Sequence, residues 1–247
     1  MDRIALPRGW RLEHHTSLPS TMDRARALAG EGDPGNLVVW ADEQTAGRGR
    51  QGRGWQSPPG NLYATLLLRP EQSPAAAARL GFVAGLAMAA AAAAWLPNER
   101  VSLKWPNDLM VDGRKCAGIL LEASGGIERL DWLLLGSGVN LATHPEGLEY
   151  PVISFAKAGA SVLPAALLER YLEQFENYRK ALKKDGFSAI REIWLQRAQG
   201  LGRPLTARLP GTTLSGTFRD LDLDGALVLE EPSGARRRIT AADVYLG

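Results

Sequence analysis

The chain has 247 residues and carries 29 lysines and arginines against 27 aspartates and glutamates, which gives a net charge of +2 at pH 7. This length supports a hydrophobic core without help from a metal or a disulfide, and the balanced charge excludes the broad basic face expected of a nucleic-acid-binding domain. The single cysteine, Cys116, excludes an intrachain disulfide and is typical of a reducing compartment, so we expect a cytoplasmic protein.

Apolar runs bounded by turn residues predict the regular elements of the first half of the chain. These are a helix at residues 22–29 and strands at 37–41, 62–68, 101–104, 109–111, 116–122 and 130–135. The dipeptides Asp112-Gly113 and Gly125-Gly126 favour tight turns, so the strands on either side of each are expected to form antiparallel hairpins.

An alanine-rich helix is predicted to begin at Ser73 and Pro74 and to end at Pro97. It is the stretch that most resembles a membrane span. Because alanine contributes little transfer free energy and Arg79 interrupts the run, we interpret it as a buried core helix. Residues 1–18 carry charges throughout and lack the apolar core of a signal peptide, so no membrane association is expected.

The second half of the chain changes character near Gly202. Two helices are predicted first, at residues 164–183 and 188–197, and short strands then follow at 205–209, 213–221, 226–229, 236–239 and 244–246. Short strands separated by tight turns are typical of a small closed β-barrel. We therefore predict two domains, residues 1–200 and residues 201–247, packed against each other.

Residues 47–55, with the sequence GRGRQGRGW, form the segment that we call the anion loop. Its glycines let backbone N–H groups approach a ligand closely, and its arginines add positive charge. The spacing also fits a dinucleotide-binding fingerprint, but that fingerprint must open a helix, and the two prolines at 58 and 59 prevent one. An arginine-glycine tract for nucleic acid is a second alternative, weakened by the balanced net charge.

Residues 104–108, with the sequence KWPND, indicate an ATP–magnesium site at a sharp turn. Lys104 would offset phosphate charge, and Asp108 would hold the metal or its water. The alternative is an ordinary tight turn with solvated charges, because Pro, Asn and Asp are common turn residues.

Residues 115–122 and 136–140 add further candidates. Lys115 lies at the start of an apolar strand, where it can reach a carboxylate or a phosphate, and Gly118 inside that strand indicates close approach of a ligand or another backbone. Asn140 follows two glycines at the end of the next strand, where it can contact a base or a phosphate. Cys116 has apolar neighbours and is interpreted as a small buried side chain rather than a nucleophile.

Taken in order, these residues resemble the biotin–protein ligase family. The resemblance rests on Ser20-Thr21, Gln44, the anion loop, the complete KWPND motif, Lys115 with residues 117–120, and the GxGxN pattern at residues 136–140. It runs through nearly the whole chain and includes the C-terminal strands, where the family has an SH3-like β-barrel. It implies an α+β fold, in which a mixed, mostly antiparallel sheet with flanking helices forms a catalytic domain like that of class II aminoacyl-tRNA synthetases.

The resemblance also implies a two-step reaction. Biotin and ATP give biotinyl-5′-AMP and pyrophosphate, with Mg²⁺ assisting, and biotin then passes to a lysine of a biotin carboxyl carrier domain of acetyl-CoA carboxylase. Family members that also act as repressors carry an N-terminal DNA-binding domain. Only 19 residues precede Ser20 here, so we expect no DNA binding. Both a monomer and a homodimer remain open.

The family pattern implies a role for each matching residue. The biotin-binding residues would be Ser20, Thr21, Gln44, Gly47, Arg48, Lys115, Gly118, Ile119, Gly136 and Gly138, and the ATP-binding residues would be Arg50, Arg53, Trp55, Lys104, Asn107 and Asn140. Arg48, Arg50, Lys115 and Asp108 would be catalytic, with Asp108 also a Mg²⁺ ligand. The main alternative is a lipoyl or octanoyl transferase of similar fold, some of which use a cysteine, and the other is a nucleic-acid-binding module.

Overall fold

A seven-stranded sheet forms the centre of the molecule in the computed structural model, which describes residues 4–246. Its strands are β1 (Arg11–Leu18), β2 (Leu37–Gln44), β3 (Leu62–Leu68), β4 (Val101–Lys104), β5 (Asp108–Val111), β6 (Arg114–Gly125) and β7 (Leu130–Val139). They lie in the order β1-β2-β3-β7-β6-β5-β4. All neighbouring pairs are antiparallel except β1 and β2, which are parallel. The predicted mixed, mostly antiparallel sheet is therefore confirmed.

Strand β1 is an element that the sequence pattern does not predict. Its sequence, RLEHHTSL, is mostly polar and shows no clean alternation of apolar and polar residues. As an edge strand it is paired only with β2, so most of its side chains are partly exposed and its pairing depends on the neighbour rather than on its own pattern.

Four helices cover the sheet: α1 (Thr21–Gly30), α2 (Pro74–Ala78), α3 (Leu80–Ala92) and α4 (Pro164–Gln196). The alanine-rich stretch predicted as one helix is two, α2 and α3, which meet at Arg79. By length and composition alone, residues 74–92 could cross a membrane, but 61% of this stretch is buried inside the fold. Phe82 of α3 makes edge contacts with Phe187 and Trp194 of α4. The stretch is therefore part of the core.

Helix α4 contains both of the predicted C-terminal helices. It runs from Pro164 to Gln196 but is interrupted at Gly186, which has φ of 77° and ψ of 179°. The two predicted segments, 164–183 and 188–197, are the two arms on either side of this kink.

The two faces of the sheet carry separate hydrophobic clusters. The larger cluster fills the space between the sheet and helices α2 to α4, and the smaller one lies under α1 and includes Leu37, Val39, Leu67 and Leu134. Because side chains alternate between faces along a strand, Gly136 and Gly138 share the α1 face with Leu134. Neither glycine projects a side chain of its own onto that face, which leaves room beside the N-terminus of α1.

A second, five-stranded antiparallel sheet follows α4. Its strands are β8 (Pro204–Leu209), β9 (Thr212–Leu221), β10 (Leu227–Glu230), β11 (Arg236–Ile239) and β12 (Asp243–Leu246), in the order β11-β10-β9-β8-β12. Leu205, Phe218 and Leu229 belong to the same continuous cluster as the core beneath the large sheet. The Nε1 atom of Trp105 donates a hydrogen bond of 3.0 Å to the carbonyl of Gly225. The two sheets are thus packed together, and the division at residue 200 stays a prediction.

Candidate active site

A cavity of about 340 Å³ opens on the α1 face of the large sheet. It is lined by all but two of the predicted site residues: Ser20, Thr21, Gln44, Arg48, Arg50, Arg53, Trp55, Lys104, Asn107, Asp108, Lys115, Gly118, Ile119, Gly136 and Gly138. Sheet register explains part of this convergence, because Asp108 pairs with Gly118 and Gly118 pairs with Gly138 across three adjacent strands. Residues that are distant in sequence therefore form one floor.

One end of the cavity is a polar cluster with a fixed geometry. The Oε1 atom of Gln44 accepts hydrogen bonds from the backbone N–H of Thr21 at 2.8 Å and from its Oγ1 at 3.1 Å. Thr65 donates to the Thr21 hydroxyl at 2.9 Å, and Gln44 Nε2 donates to Ser57 Oγ at 3.0 Å. Ser20 caps α1 by accepting from the N–H of Asp23 at 3.4 Å. These groups form one connected network of polar side chains at the N-terminus of α1.

The floor of the cavity is made of glycines under the Trp55 ring. A Cβ atom added to Gly138 would lie 2.5 Å from Nε1 of Trp55, and one added to Gly118 would lie 3.3 Å from its Cζ3. A Cβ on Gly136 would meet Sδ of Met22 at 2.5 Å. The indole and the thioether thus lie directly on the backbone of β6 and β7.

Unpartnered polar atoms concentrate at this cavity. Five buried side-chain N or O atoms in residues 4–246 lack a hydrogen-bond partner, and two of them that also make no ion pair, Trp55 Nε1 and Gln199 Oε1, belong to residues that line it. Buried polar groups without partners are rare and costly in folded proteins. A polar ligand in the cavity is one source of partners for these atoms.

Lys115 and Asp108 form an ion pair at the centre of the floor. Nζ of Lys115 lies 2.7 Å from Oδ1 of Asp108, and their side chains are 19% and 17% exposed. The same ammonium lies 5.6 Å from the ring centres of both Trp55 and Tyr150. Lys115 is therefore held between two aromatic rings and a carboxylate.

The cavity is electropositive. Its lining contains five basic side chains, from Arg48, Arg50, Arg53, Lys104 and Lys115, and three carboxylates. Burial lowers the pKa of Lys104, an effect that the Asp108 carboxylate partly opposes. Burial likewise lowers the pKa of the Arg50 guanidinium. Partly desolvated cations of this kind attract an anion more strongly than solvated ones.

The anion loop is closed on itself by backbone hydrogen bonds. Gly49 N–H donates to the Arg53 carbonyl at 2.7 Å, and Trp55 N–H donates to the Gly47 carbonyl at 2.9 Å. Arg53 pairs with Asp243 of β12 at 2.8 Å. The loop is thus held against both the floor of the cavity and the second sheet.

Two predicted residues, Gly47 and Asn140, do not line the cavity. A Cβ on Gly47 would lie 2.5 Å from both Ser57 Oγ and the Trp55 carbonyl, so this glycine permits close packing inside the loop. Asn140 is 3% exposed, and its Nδ2 donates to the Ile153 carbonyl at 3.3 Å. Its side chain therefore ties the end of β7 to the following segment, which differs from the expected nucleotide contact.

Several residues of the lining carry no signal in the sequence. They are Met22, Met110, Glu149, Tyr150, Gln199 and the residues 242–245 that carry β12 to the cavity. Tyr150 and Tyr245 are isolated aromatic residues in unpatterned sequence, and only the side-by-side packing of separate segments brings them here. No local motif could have indicated them.

Neither Cys116 nor the histidines line the cavity. Cys116 is fully buried, and burial raises the pKa of its thiol far above the ordinary value, so a reactive thiolate is disfavoured. His14 stacks on Trp40 at 4.0 Å and bonds to Asp42 at 2.8 Å, away from the cavity. Within residues 4–246 there is no group of three or more histidine, cysteine or acidic side chains that could hold a metal ion by itself.

Comparison with known proteins gives concordant matches. The family model of the biotin/lipoate A/B protein ligase family matches residues 16–140, and that of the biotin protein ligase C terminal domain matches residues 200–247. The chain is 42% identical to the biotin–[acetyl-CoA-carboxylase] ligase of Paracoccus denitrificans, over 92% of this chain and 97% of that protein. It is 32% identical to the bifunctional ligase/repressor BirA of Bacillus subtilis, over 97% of this chain and 75% of that one.

A solved structure matches over almost the entire length. The biotin protein ligase from Aquifex aeolicus in complex with biotin and ATP superimposes with a TM-score of 0.81 at 25% identity, covering 96% of this chain and 99% of that one.

Proposed function

The chain belongs to the biotin/lipoate A/B protein ligase family, and we infer that it is an ATP-dependent biotin–protein ligase. The observation that carries this function is one cavity that combines a fixed polar cluster, unpartnered buried polar atoms and five basic side chains. Biotin presents a neutral ring system and a carboxylate, and ATP is a nucleoside triphosphate. The polar cluster suits the ring system, and the basic side chains suit the carboxylate and the phosphates.

The first step joins two anions. A carboxylate oxygen of biotin attacks the α-phosphorus of ATP, the bond to the β-phosphate oxygen breaks, and pyrophosphate leaves. Arg48, Arg50 and Lys115 would oppose the repulsion between carboxylate and phosphate and stabilise the charge that develops on phosphorus. Each preorganised donor of this kind contributes about 2.7–4 kcal/mol, and positioning the two reactants contributes up to about 7–11 kcal/mol.

The second step releases AMP. The amine of an acceptor lysine attacks the carbonyl carbon of the adenylate, the anhydride bond to phosphate breaks, and the amine proton leaves to a base. Asp108 is the carboxylate paired with Lys115 at the cavity floor, and it would be the base that takes this proton. The closed anion loop would shield the adenylate from water until the acceptor arrives.

The remaining assignments divide the lining between biotin and ATP, and the two groups adjoin where Trp55 lies over Gly118 and Gly138. Ser20, Thr21 and Gln44 would bind the ring of biotin, with Gly118, Ile119, Gly136 and Gly138 as the wall. Arg53, Trp55, Lys104 and Asn107 would bind ATP. The distribution of the polar cluster and of the basic side chains supports this division.

Magnesium fits as an ion carried by the nucleotide. Mg²⁺ keeps several waters and binds through one or two carboxylates together with phosphate oxygens, so it does not need a dedicated protein cage. Asp108, whose carboxylate lines the cavity, would be its protein ligand. When bound, the ion would neutralise phosphate charge.

The acceptor that we propose is the biotin carboxyl carrier domain of acetyl-CoA carboxylase, the enzyme named for the Paracoccus relative. We further propose that the ligase acts in the cytoplasm. The alternative lipoyl or octanoyl transfer through a cysteine finds no support in a buried, unreactive Cys116.

The test is incubation of the full chain with biotin, Mg²⁺–ATP and a carrier domain, followed by intact-mass measurement of the carrier. We expect the mass of one biotinyl group to be added, only when ATP is present, and Cys116→Ala to retain the activity. Parallel reactions contain lipoate or octanoate in place of biotin. Modification by either of these in preference to biotin would overturn the assignment.

A further inference from the structure

We propose that Asp23, in the first turn of α1, is a positioning residue that aims Arg48 into the cavity. This inference rests on the proposed function, because it concerns the guanidinium assigned to the anionic reactants. Asp23 itself does not line the cavity, so its effect would act through Arg48.

The contact is part of a four-residue ion-pair cluster. Nη2 of Arg48 lies 2.6 Å from Oδ1 of Asp23 and 3.8 Å from Oε1 of Glu122 on β6. Arg26, one turn along α1, bonds the same Asp23 oxygen at 2.6 Å and also pairs with Glu122. The cluster therefore connects the anion loop to a helix and to a strand of the large sheet.

The backbone of Arg48 is held by a bridge to Gly54, so what the Asp23 contact fixes is its long, partly exposed side chain. Glycines flank it on both sides, at positions 47 and 49, and its side chain is 39% exposed. A long, rotamer-rich side chain in this setting loses considerable conformational entropy when a ligand fixes it. Holding Arg48 before the ligand binds reduces that loss.

The anchor leaves part of the guanidinium available. The one side-chain hydrogen bond of Arg48 within residues 4–246 uses Nη2, which leaves the N–H groups of Nε and Nη1 for a ligand. These donors belong to a side chain of the cavity lining. A planar guanidinium can engage partners on two edges at once.

The charge of the cluster also suits this role. Two arginines balance two carboxylates, so Asp23 orients Arg48 without presenting net negative charge to an anionic substrate. Exposed ion pairs contribute little to the free energy of unfolding, and Asp23 and Arg48 are 46% and 39% exposed. We therefore expect loss of Asp23 to affect adenylation more than stability.

The experiment measures biotin-dependent exchange of pyrophosphate into ATP by the full chain and by the variants Asp23→Ala, Asp23→Asn, Arg48→Ala and Asp23→Ala/Arg48→Ala. Asp23→Ala should lower kcat/KM for biotin about 3- to 10-fold. Asp23→Asn keeps an oxygen that accepts from Arg48, so it should stay within about 2-fold of the parent. In the Arg48→Ala background, Asp23→Ala should have no further effect, because its partner is already gone.

Glu173→Ala is the matched control, since Glu173 also pairs with an arginine three residues away on an exposed helix surface, at 3.4 Å, and lies outside the cavity. It should leave exchange and melting temperature unchanged. The proposal is overturned if Asp23→Ala matches or exceeds the parent, if Asp23→Asn is as slow as Asp23→Ala, or if the loss persists in the Arg48→Ala background. A parent chain that shows no exchange with biotin contradicts the proposed function instead.

Discussion

The Trp55 ring occupies the space that Gly118 and Gly138 leave open on the sheet. Contact between an aromatic ring and strand backbone is possible only where no Cβ intervenes. Gly118 and Gly138 thus decide where this ring lies and, through it, the shape of the cavity.

Gly138→Ala should displace Trp55, because the new methyl group would lie 2.5 Å from Nε1 and 2.6 Å from Cε2 of the indole. We expect KM for ATP in the pyrophosphate-exchange assay to rise at least about 10-fold, equivalent to about 1.4 kcal/mol. The Trp55→Ala background is the control, since the methyl group then meets no indole and should add no further loss. An unchanged KM in the Trp55-containing variant would contradict this role of the glycine.

Lys115→Met should leave the mostly buried Asp108 carboxylate without the ammonium group with which it is paired. We expect the free energy of unfolding in urea to fall by about 1–3 kcal/mol and pyrophosphate exchange to be lost. Lys115→Met/Asp108→Asn removes the unpaired charge, so stability should return while exchange stays absent. If the single variant exchanges pyrophosphate at the parent rate, Lys115 is not part of the reaction.

Among single residues, those that are contiguous in the chain could be predicted from the sequence to share a site. The anion loop and the KWPND turn carry their chemistry in adjacent residues, and both reach the cavity. Tyr150 and Asp243 could not be predicted, because each is brought to the site by packing between segments that share no local pattern. Asn140 is the opposite case, because its position after a glycine-rich strand end predicted a ligand contact. Its buried side chain instead donates a hydrogen bond to the Ile153 carbonyl.

Among the elements, the kinked helix α4 depends on one residue. Gly186 has φ of 77° and ψ of 179°, a conformation that is essentially restricted to glycine. The kink turns the second arm so that Phe187 and Trp194 contact Phe82 of α3.

Gly186→Ala should therefore lower the free energy of unfolding by about 1–3 kcal/mol through backbone strain alone. Within residues 4–246, and apart from its chain neighbours and the nearby helix backbone, no heavy atom lies within 4 Å of the added Cβ, so the loss comes from the backbone conformation. Gly85→Ala within α3 is the control. Its Cβ would make ordinary contacts, the nearest at 3.6 Å, so we expect no loss of stability. Urea denaturation of both variants measures the difference, and equal stabilities would show that the kink is not strained by a side chain.

The elements also show where sequence patterns stop being informative. Apolar runs were sufficient for β3 and β7, because these strands are inner strands of the sheet and bury most of their side chains. They were insufficient for β1, an edge strand with polar residues on both faces. Parallel pairing of β1 with β2 follows from the path of α1 between them, which no single strand sequence encodes.

For the whole molecule, the two sheets share one continuous hydrophobic cluster. They are further joined by Trp105 to Gly225, by Arg53 to Asp243 and by Arg191 to Asp220. A composition change near residue 200 indicated a second unit, but the extent of its contact with the first depends on tertiary packing.

We expect a single cooperative unfolding transition in scanning calorimetry, with the calorimetric and van't Hoff enthalpies equal. The physical reason is that separating the two sheets would expose apolar side chains from both. The variant Trp105→Phe, which removes the hydrogen bond to Gly225 and keeps most of the apolar contact, should lower the melting temperature without splitting the transition. Two resolved transitions in the parent would show that residues 1–200 and 201–247 unfold independently.

The wall that β12 supplies to the cavity has a consequence for biosynthesis. Residues 242–245 line the site, and they leave the ribosome after every other strand of both sheets. A nascent chain that has already folded its large sheet still lacks this wall, since domains form in the order of translation. The cavity therefore gains this part of its wall only after β12 has been synthesised.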